Sequence, residues 1–150
     1  MTGIDHYERK RVKVRREEEV VRAMLESWAE GIEPVKKTWA EHCTQDIVWW
    51  NSARGAVEGM DNCLAAIDAI DQLVGGFAYI KVPVRNLVAV EGLVFVERSD
   101  DLYRGDDSLI AAVPVTGVIA FRGDKVESWR DYCDDWLREH RPEDAAKAVV

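Results

Sequence analysis

The sequence predicts an α+β fold: a cone-shaped, curved antiparallel or mixed sheet packed on N-terminal helices. Three observations carry this reading. Apolar residues recur at helical spacing through the first half of the chain, β-rich runs fill the second half, and glycine-containing turns punctuate those runs. Helices gathered on one side of a mostly antiparallel sheet define the class. At 150 residues the chain fits one domain. A domain of that size hides about 68–70% of its unfolded surface. The expected division is a polar arm over 1–16, an α+β domain over 17–137 and a loose tail over 138–150.

The arm ends in a basic run, Arg9, Lys10, Arg11, Lys13, Arg15 and Arg16. A nucleic-acid arm is one reading of such a run. A solvated lead into a helix is the other. The second is preferred, because Glu17, Glu18 and Glu19 follow at once, offset the charge and suit a first helical turn. Over 17–30, Val20, Val21, Met24, Leu25 and Trp28 form one apolar stripe, which Gly31 ends. A second helix runs from Pro34 to His42, with Val35 and Trp39 as its apolar members. Residues 47–51 read as a short strand, 52–58 as a loop. Leu64, Ile67, Ile70, Leu73 and Val74 keep a helical period over 60–74, and Gly75-Gly76 breaks it.

The remainder reads as a four-stranded meander over 77–90, 93–103, 108–121 and 125–136. Its turns fall at Glu91-Gly92, at 104–107 and at Arg122-Gly123-Asp124. Pro114 and Gly117 within the third run predict a bulge or bend.

Composition narrows the function classes. Net charge is −8, so there is no general affinity for nucleic acid or an anionic membrane surface. No stretch approaches the roughly 18 apolar residues that cross a bilayer. Three cysteines with no CxxC spacing argue against a disulfide framework or a zinc ribbon. The three histidines form no metal-binding pattern. A reducing cytoplasm is the expected compartment, and these patterns suggest no metal site.

Strand alternation singles out the polar candidates. On the second run Val94, Val96, Arg98, Asp100 and Leu102 share a face, which the valines aim at the core. A buried Arg and a buried Asp are costly unless paired and hydrogen-bonded. On the last run Glu127, Trp129, Asp131 and Cys133 share a face, setting a carboxylate among apolar neighbours. Such groups cluster at functional sites. A surface ion pair, worth about 0–1 kcal/mol, fits an Arg-x-Asp equally well, so alternation leaves both readings open. The Asp100–Asp101 and Asp134–Asp135 pairs make poor metal sites, since neighbours on a strand face opposite ways. Trp49 and Asn51 share a face on the first short strand. Tryptophan there fits core packing, whereas a buried Asn51 amide needs a partner and can hold a water.

Glu97-Arg98-Ser99-Asp100, the terminal Glu127-Ser128-Trp129-Arg130-Asp131-Tyr132, and Trp49-Trp50-Asn51 together resemble the limonene-1,2-epoxide hydrolase family. That family lies within the SnoaL-like, ketosteroid-isomerase-like and nuclear transport factor 2-like superfamily, with its cystatin-like α+β barrel. The resemblance implies a one-step, cofactor-free opening of a small epoxide by water. Asp131 would be the base, Asp100 the acid, and Arg98 the cation between them. Asn51 would position the water. Trp49 stands where the family has a tyrosine, and an indole donates a hydrogen bond but cannot accept one. Another acid–base reaction on the same fold (isomerase, dehydratase, cyclase or lyase) is the first alternative. A non-catalytic binding or dimerising domain is the second. Met24, Leu102, Val115, Trp129 and Cys133 are expected to line an apolar pocket for a small-molecule substrate. Outward-facing Phe95, Tyr103 and Tyr132 suit a homodimer.

Overall fold

A computed structural model describes residues 15–140. The basic run before Arg15 and the tail beyond His140 lie outside the described residues. Helix α1 (Arg16–Ser27) continues into a 3-10 turn, Trp28–Glu30. Its buried stripe is Val21, Met24, Leu25 and Trp28, at the spacing that aligns one helical face. Gly31, at φ +128°, turns the chain into α2 (Ile32–His42), a backbone conformation that L side chains rarely adopt. Pro34 sits in the first turn of α2, where its missing N–H costs no helical bond. Helix α3 (Met60–Leu73) buries Met60, Cys63 and Ile67.

Seven strands follow this order: β1 (Cys43–Asn51), β2 (Gly55–Glu58), β3 (Tyr79–Lys81), β4 (Val84–Val90), β5 (Leu93–Tyr103), β6 (Leu109–Arg122) and β7 (Lys125–Tyr132). They build one curved, unclosed mixed sheet in the order β2-β1-β7-β6-β5-β3, with β4 also paired to β5. Among the described residues only β1 and β7 run parallel. Helix α1 packs on β4 and β5, and α3 on β1 and β2.

The sheet therefore exceeds the expected meander in four places. The loop expected over 52–58 is a hairpin arm, with Trp49 opposite Val57 on β2. Gly55-Ala56-Val57-Glu58 holds a single strong β-former, so local propensity is nearly silent there. The run over 77–90 is two strands parted at Pro83, which has no N–H for the ladder; both pair with β5. The last strand stops at Tyr132, and Trp136–His140 is a 3-10 turn that returns Leu137 to the core. Arg138 and His140 thus belong to a turn and not to a loose tail. Finally, β7 carries a bulge: Ala120 pairs with Ser128 but Phe121 pairs with Val126. The extra residue is Glu127, so the face shared with Trp129 passes to Val126, which is fully buried, while Glu127 turns partly outward.

Four tryptophans join the layers. Trp129 on β7 lies 5.8 Å from Trp28 and 5.4 Å from Trp39, and Trp39 lies 5.4 Å from Trp49, centroid to centroid. Tilted rings at these separations gain specific attraction beyond the area they bury.

Candidate active site

The valine-lined face of β5 continues into charge. Val94, Val96, Arg98 and Leu102 are all buried on it, and the Arg98 side chain has no exposed surface. Arg98 Nε and Nη2 donate to Asp100 Oδ1 and Oδ2 at 2.8 and 3.0 Å, a two-pronged pair. Nη1 donates to Asp131 Oδ1, on β7, at 3.0 Å. That oxygen also accepts the Trp129 indole N–H at 2.9 Å. Asp131 Oδ2 accepts no hydrogen bond from the described residues. Charge-assisted contacts of this kind are what make a buried cation tolerable. The guanidinium carbon also lies 5.7 Å from the centre of the Trp129 ring, within cation–π range.

Burial pulls against charge throughout this cluster. Burial alone would lower the Arg98 pKa, but the two carboxylates outweigh it and raise it, so the guanidinium is permanently charged. Burial drives the Asp100 carboxyl above its ordinary value; Arg98 opposes the shift, and the charges of Asp131 and Asp101 add to it. Asp100 is thereby suited to keep a proton. Burial also raises the Cys133 thiol, so this cysteine stays protonated.

Parallel pairing of β1 with β7 aligns Asn51 with Asp131 and Trp49 with Trp129. Asn51 is buried, and its amide is engaged at both ends: Oδ1 accepts the Ala53 N–H at 2.9 Å and Nδ2 donates to Cys133 Sγ at 3.2 Å. The Trp49 indole nitrogen is buried with no hydrogen-bond partner among the described residues.

These groups face one cavity with about 90 Å³ of enclosed space. Arg98, Asp100, Asp131, Asn51, Trp49, Leu102, Val115 and Cys133 all line it. Two residues expected there do not. Met24 is completely buried in the core, and Trp28, one helical turn further on, reaches the cavity in its place. Trp129 lies beneath the site, fully buried, and holds Asp131 from the core side. The rest of the apolar wall includes Val35 and Trp39 from α2, Ile67 and Ile70 from α3, and Val113 from β6. The helix members belong to stripes legible as core, but periodicity alone does not separate core from cavity wall. Arg54 also lines the cavity, as a turn residue with no periodic signal. The turn after β1 is clasped to the segment after β7. Ser52 Oγ donates to the Cys133 carbonyl at 2.8 Å and accepts the Cys133 N–H at 2.9 Å. Beside this clasp Arg54 stands 3.9 Å from Asp135.

Among the described residues no three His, Cys, Asp or Glu side chains come together as a metal site, and no helix is long and apolar enough to cross a membrane.

A family model, the limonene-1,2-epoxide hydrolase catalytic domain, matches residues 15–138. No curated protein matches significantly by sequence. Among solved structures, an LEH-like epoxide hydrolase of M. tuberculosis is 20% identical with a TM-score of 0.62, over 88% of this chain and 93% of that one. A protein assigned as a SnoaL-like polyketide cyclase from Jannaschia sp. CCS1 is 19% identical with a TM-score of 0.63, over 77% of this chain and 83% of that one. A protein of ketosteroid isomerase-like fold from Catenulispora acidiphila, in complex with trimethylamine, is 17% identical with a TM-score of 0.61, over 78% and 86%. These likenesses fix the fold, which hosts several chemistries. The match over residues 15–138 takes in all three β5–β7 charges and the β1 pair beside them, and by it the chain belongs to the limonene-1,2-epoxide hydrolase family.

Proposed function

We propose that the protein is a cofactor-independent epoxide hydrolase acting on a small, mostly apolar epoxide. The observation that carries this reading is one buried guanidinium joined to two carboxylates on the wall of an apolar cavity. Two carboxylates flanking one cation favour a single shared proton, because double ionisation leaves an uncompensated buried charge. On this reading the proton sits on Asp100, whose pKa burial raises against the pull of Arg98. Asp131 then is the base: its Oδ1 is held by Arg98 and Trp129, and its Oδ2 is open to a water.

In the forward step the water oxygen bonds to an epoxide carbon and that carbon's C–O bond breaks. Asp131 takes the proton that the water loses. Asp100 gives its proton to the freed oxygen, yielding a diol. The cycle closes when Asp131 loses its proton and Asp100 regains one. A positioned acid and base contribute about 10²–10⁴-fold each. The Asn51 amide retains one N–H and one Oδ1 lone pair with which to hold the water.

Hydrolysis in ¹⁸O-labelled water of a panel of small apolar epoxides tests the reading. It requires one labelled hydroxyl per diol and loss of turnover in Asp131→Asn. A rearranged product without label would instead support an acid–base isomerase or lyase on the same charges. Trp49 favours that second reading, since its indole gives the water no acceptor and its N–H stands without a partner.

A further inference from the structure

Arg98 and Asp131 start two strands apart, with β6 between them, so their backbones are separated by about 9–10 Å. Their side chains nevertheless meet at 3.0 Å. The meeting point lies over Gly117, which pairs with Val96 on β5 and with Asp131 on β7. The same face of β6 carries Val113, Val115 and Ile119, all buried. Alternation therefore calls for a branched apolar side chain at position 117, and the chain has none. Gly117 is not among the glycines with positive φ, so turn geometry does not account for it. Glycine in a strand interior weakens the strand. What it supplies here is room. A Cβ at this position would stand 2.7 Å from Arg98 Nη1, 3.0 Å from Val96 Cγ1 and 3.2 Å from Asp131 Oδ1. The first distance is shorter than real Cβ atoms allow. Arg98 has little freedom to retreat, because three hydrogen bonds to two carboxylates fix its guanidinium.

We propose that Gly117 is a positioning residue, whose absent side chain is the space in which Arg98 and Asp131 meet across β6. Register runs unbroken through Gly117 on both neighbouring strands, so the bulge expected from Pro114 and Gly117 does not stand at this glycine. A methyl group at 117 would push the guanidinium off Asp131 while leaving the Arg98–Asp100 pair on β5. Asp131 would lose its cation, and its free oxygen would no longer be aimed.

The test compares the wild-type protein with Gly117→Ala, Gly117→Ala/Val96→Ala and Gly117→Ala/Arg98→Lys. Hydrogen exchange of the Arg98 guanidinium protons is followed by ¹⁵N NMR. In Gly117→Ala the Nη1 protons, pushed off Asp131, should exchange faster, while the Nε proton, still held by Asp100, should keep its wild-type rate. Adding Val96→Ala should not slow the Nη1 exchange again, because the decisive clash is with Arg98. If Gly117→Ala alone does not fold, Gly117→Ala/Arg98→Lys should melt as Arg98→Lys does, since lysine lacks the terminal nitrogens that crowd position 117. Wild-type exchange at Nη1 in Gly117→Ala, restoration by Val96→Ala, or a double variant far less stable than Arg98→Lys would each overturn the proposal. The kinetic counterpart rests on the hydrolase reading: kcat should fall by about 10²-fold with KM little changed. Should the wild-type protein open no epoxide, that reading fails alone, and hydrogen exchange and melting still decide the role of Gly117.

Discussion

At the scale of single residues, Asp131, Trp129 and Asp100 carry separable expectations. On the proposed reading Asp131→Asn keeps shape and loses the base, so turnover should fall at least about 100-fold while circular dichroism stays unchanged. Trp129→Phe keeps the ring and loses the N–H that Asp131 accepts. Hydrogen bonds to charged groups are worth about 1.5–3 kcal/mol, and a urea unfolding midpoint should report a loss of that order. Asp100 sets the pH dependence. Its pKa is raised in the folded protein, mainly by burial, so the folded state keeps its proton to higher pH than the unfolded chain does. Stability from this group is therefore greatest below the ordinary carboxyl value and declines as pH rises through the window up to the raised value. The rate follows the same direction, since the acid role needs the proton: kcat/KM should drop on the alkaline side of that window. Asp100→Asn should remove the stability slope together with the activity. A rate that increases through the window would contradict the acid role. Alternation made the inward direction of Arg98 legible on the valine face of β5 and that of Asp131 beside Trp129, but not that the two meet across β6. The part Trp129 takes was misread for a physical reason: an indole two residues from a carboxylate on one face can hold it from behind without touching the cavity.

At the scale of elements, the site depends on pairings that local sequence does not announce. Alternation gives the correct face for β5, but it is blind to which strand lies beside which. The parallel match of β1 with β7, some eighty residues apart in the chain, brings Asn51 beside Asp131. The bulge at Glu127 shows a second blind spot. One extra residue inverts the alternation, so Val126 and Trp129 both turn inward although three positions separate them. The clasp between Ser52 and Cys133 ties the ends of β1 and β7 together at the cavity mouth. Ser52→Ala removes both hydrogen bonds of the hydroxyl and leaves the Cys133 N–H without that acceptor, while the Ser52 N–H keeps its bond to the Asp131 carbonyl. At about 0.5–1.5 kcal/mol for each bond, the variant should be less stable by about 1–3 kcal/mol. Hydrogen exchange at Cys133 and its neighbours should accelerate more than exchange in the centre of β6. Uniform acceleration across the sheet would mean that the clasp is not a local device.

For the whole molecule, helices first and strands after was enough to predict an α+β fold, and the chemistry follows from wrapping that sheet around the tryptophan-rich layer. Among the described residues, the outer face of the sheet carries exposed apolar side chains. Val88, Phe95 and Val118 form a cross-strand row on it, with Val88 half exposed and Phe95 41% exposed. Tyr132 is exposed on the neighbouring strand and meets Trp50 edge to face at 5.0 Å. Tyr103, the third aromatic expected to face a partner, is already stacked on Tyr79 at 5.1 Å, so its ring is partly used within the chain. An apolar row of this kind on a soluble surface suits self-association. A second copy would meet it through the same patch, as two-fold symmetry requires. Light scattering of the full chain should therefore return twice the 17.0 kDa protomer mass. Phe95→Glu, set at the centre of the row and away from the cavity, should halve the measured mass and leave epoxide turnover within about twofold of wild type, because area is removed from the interface and nothing from the acid–base set. A wild-type protein that scatters as a protomer at every concentration would sink the dimer, and it would leave the outward Phe95 as an isolated exposed apolar residue, which soluble proteins tolerate without further explanation.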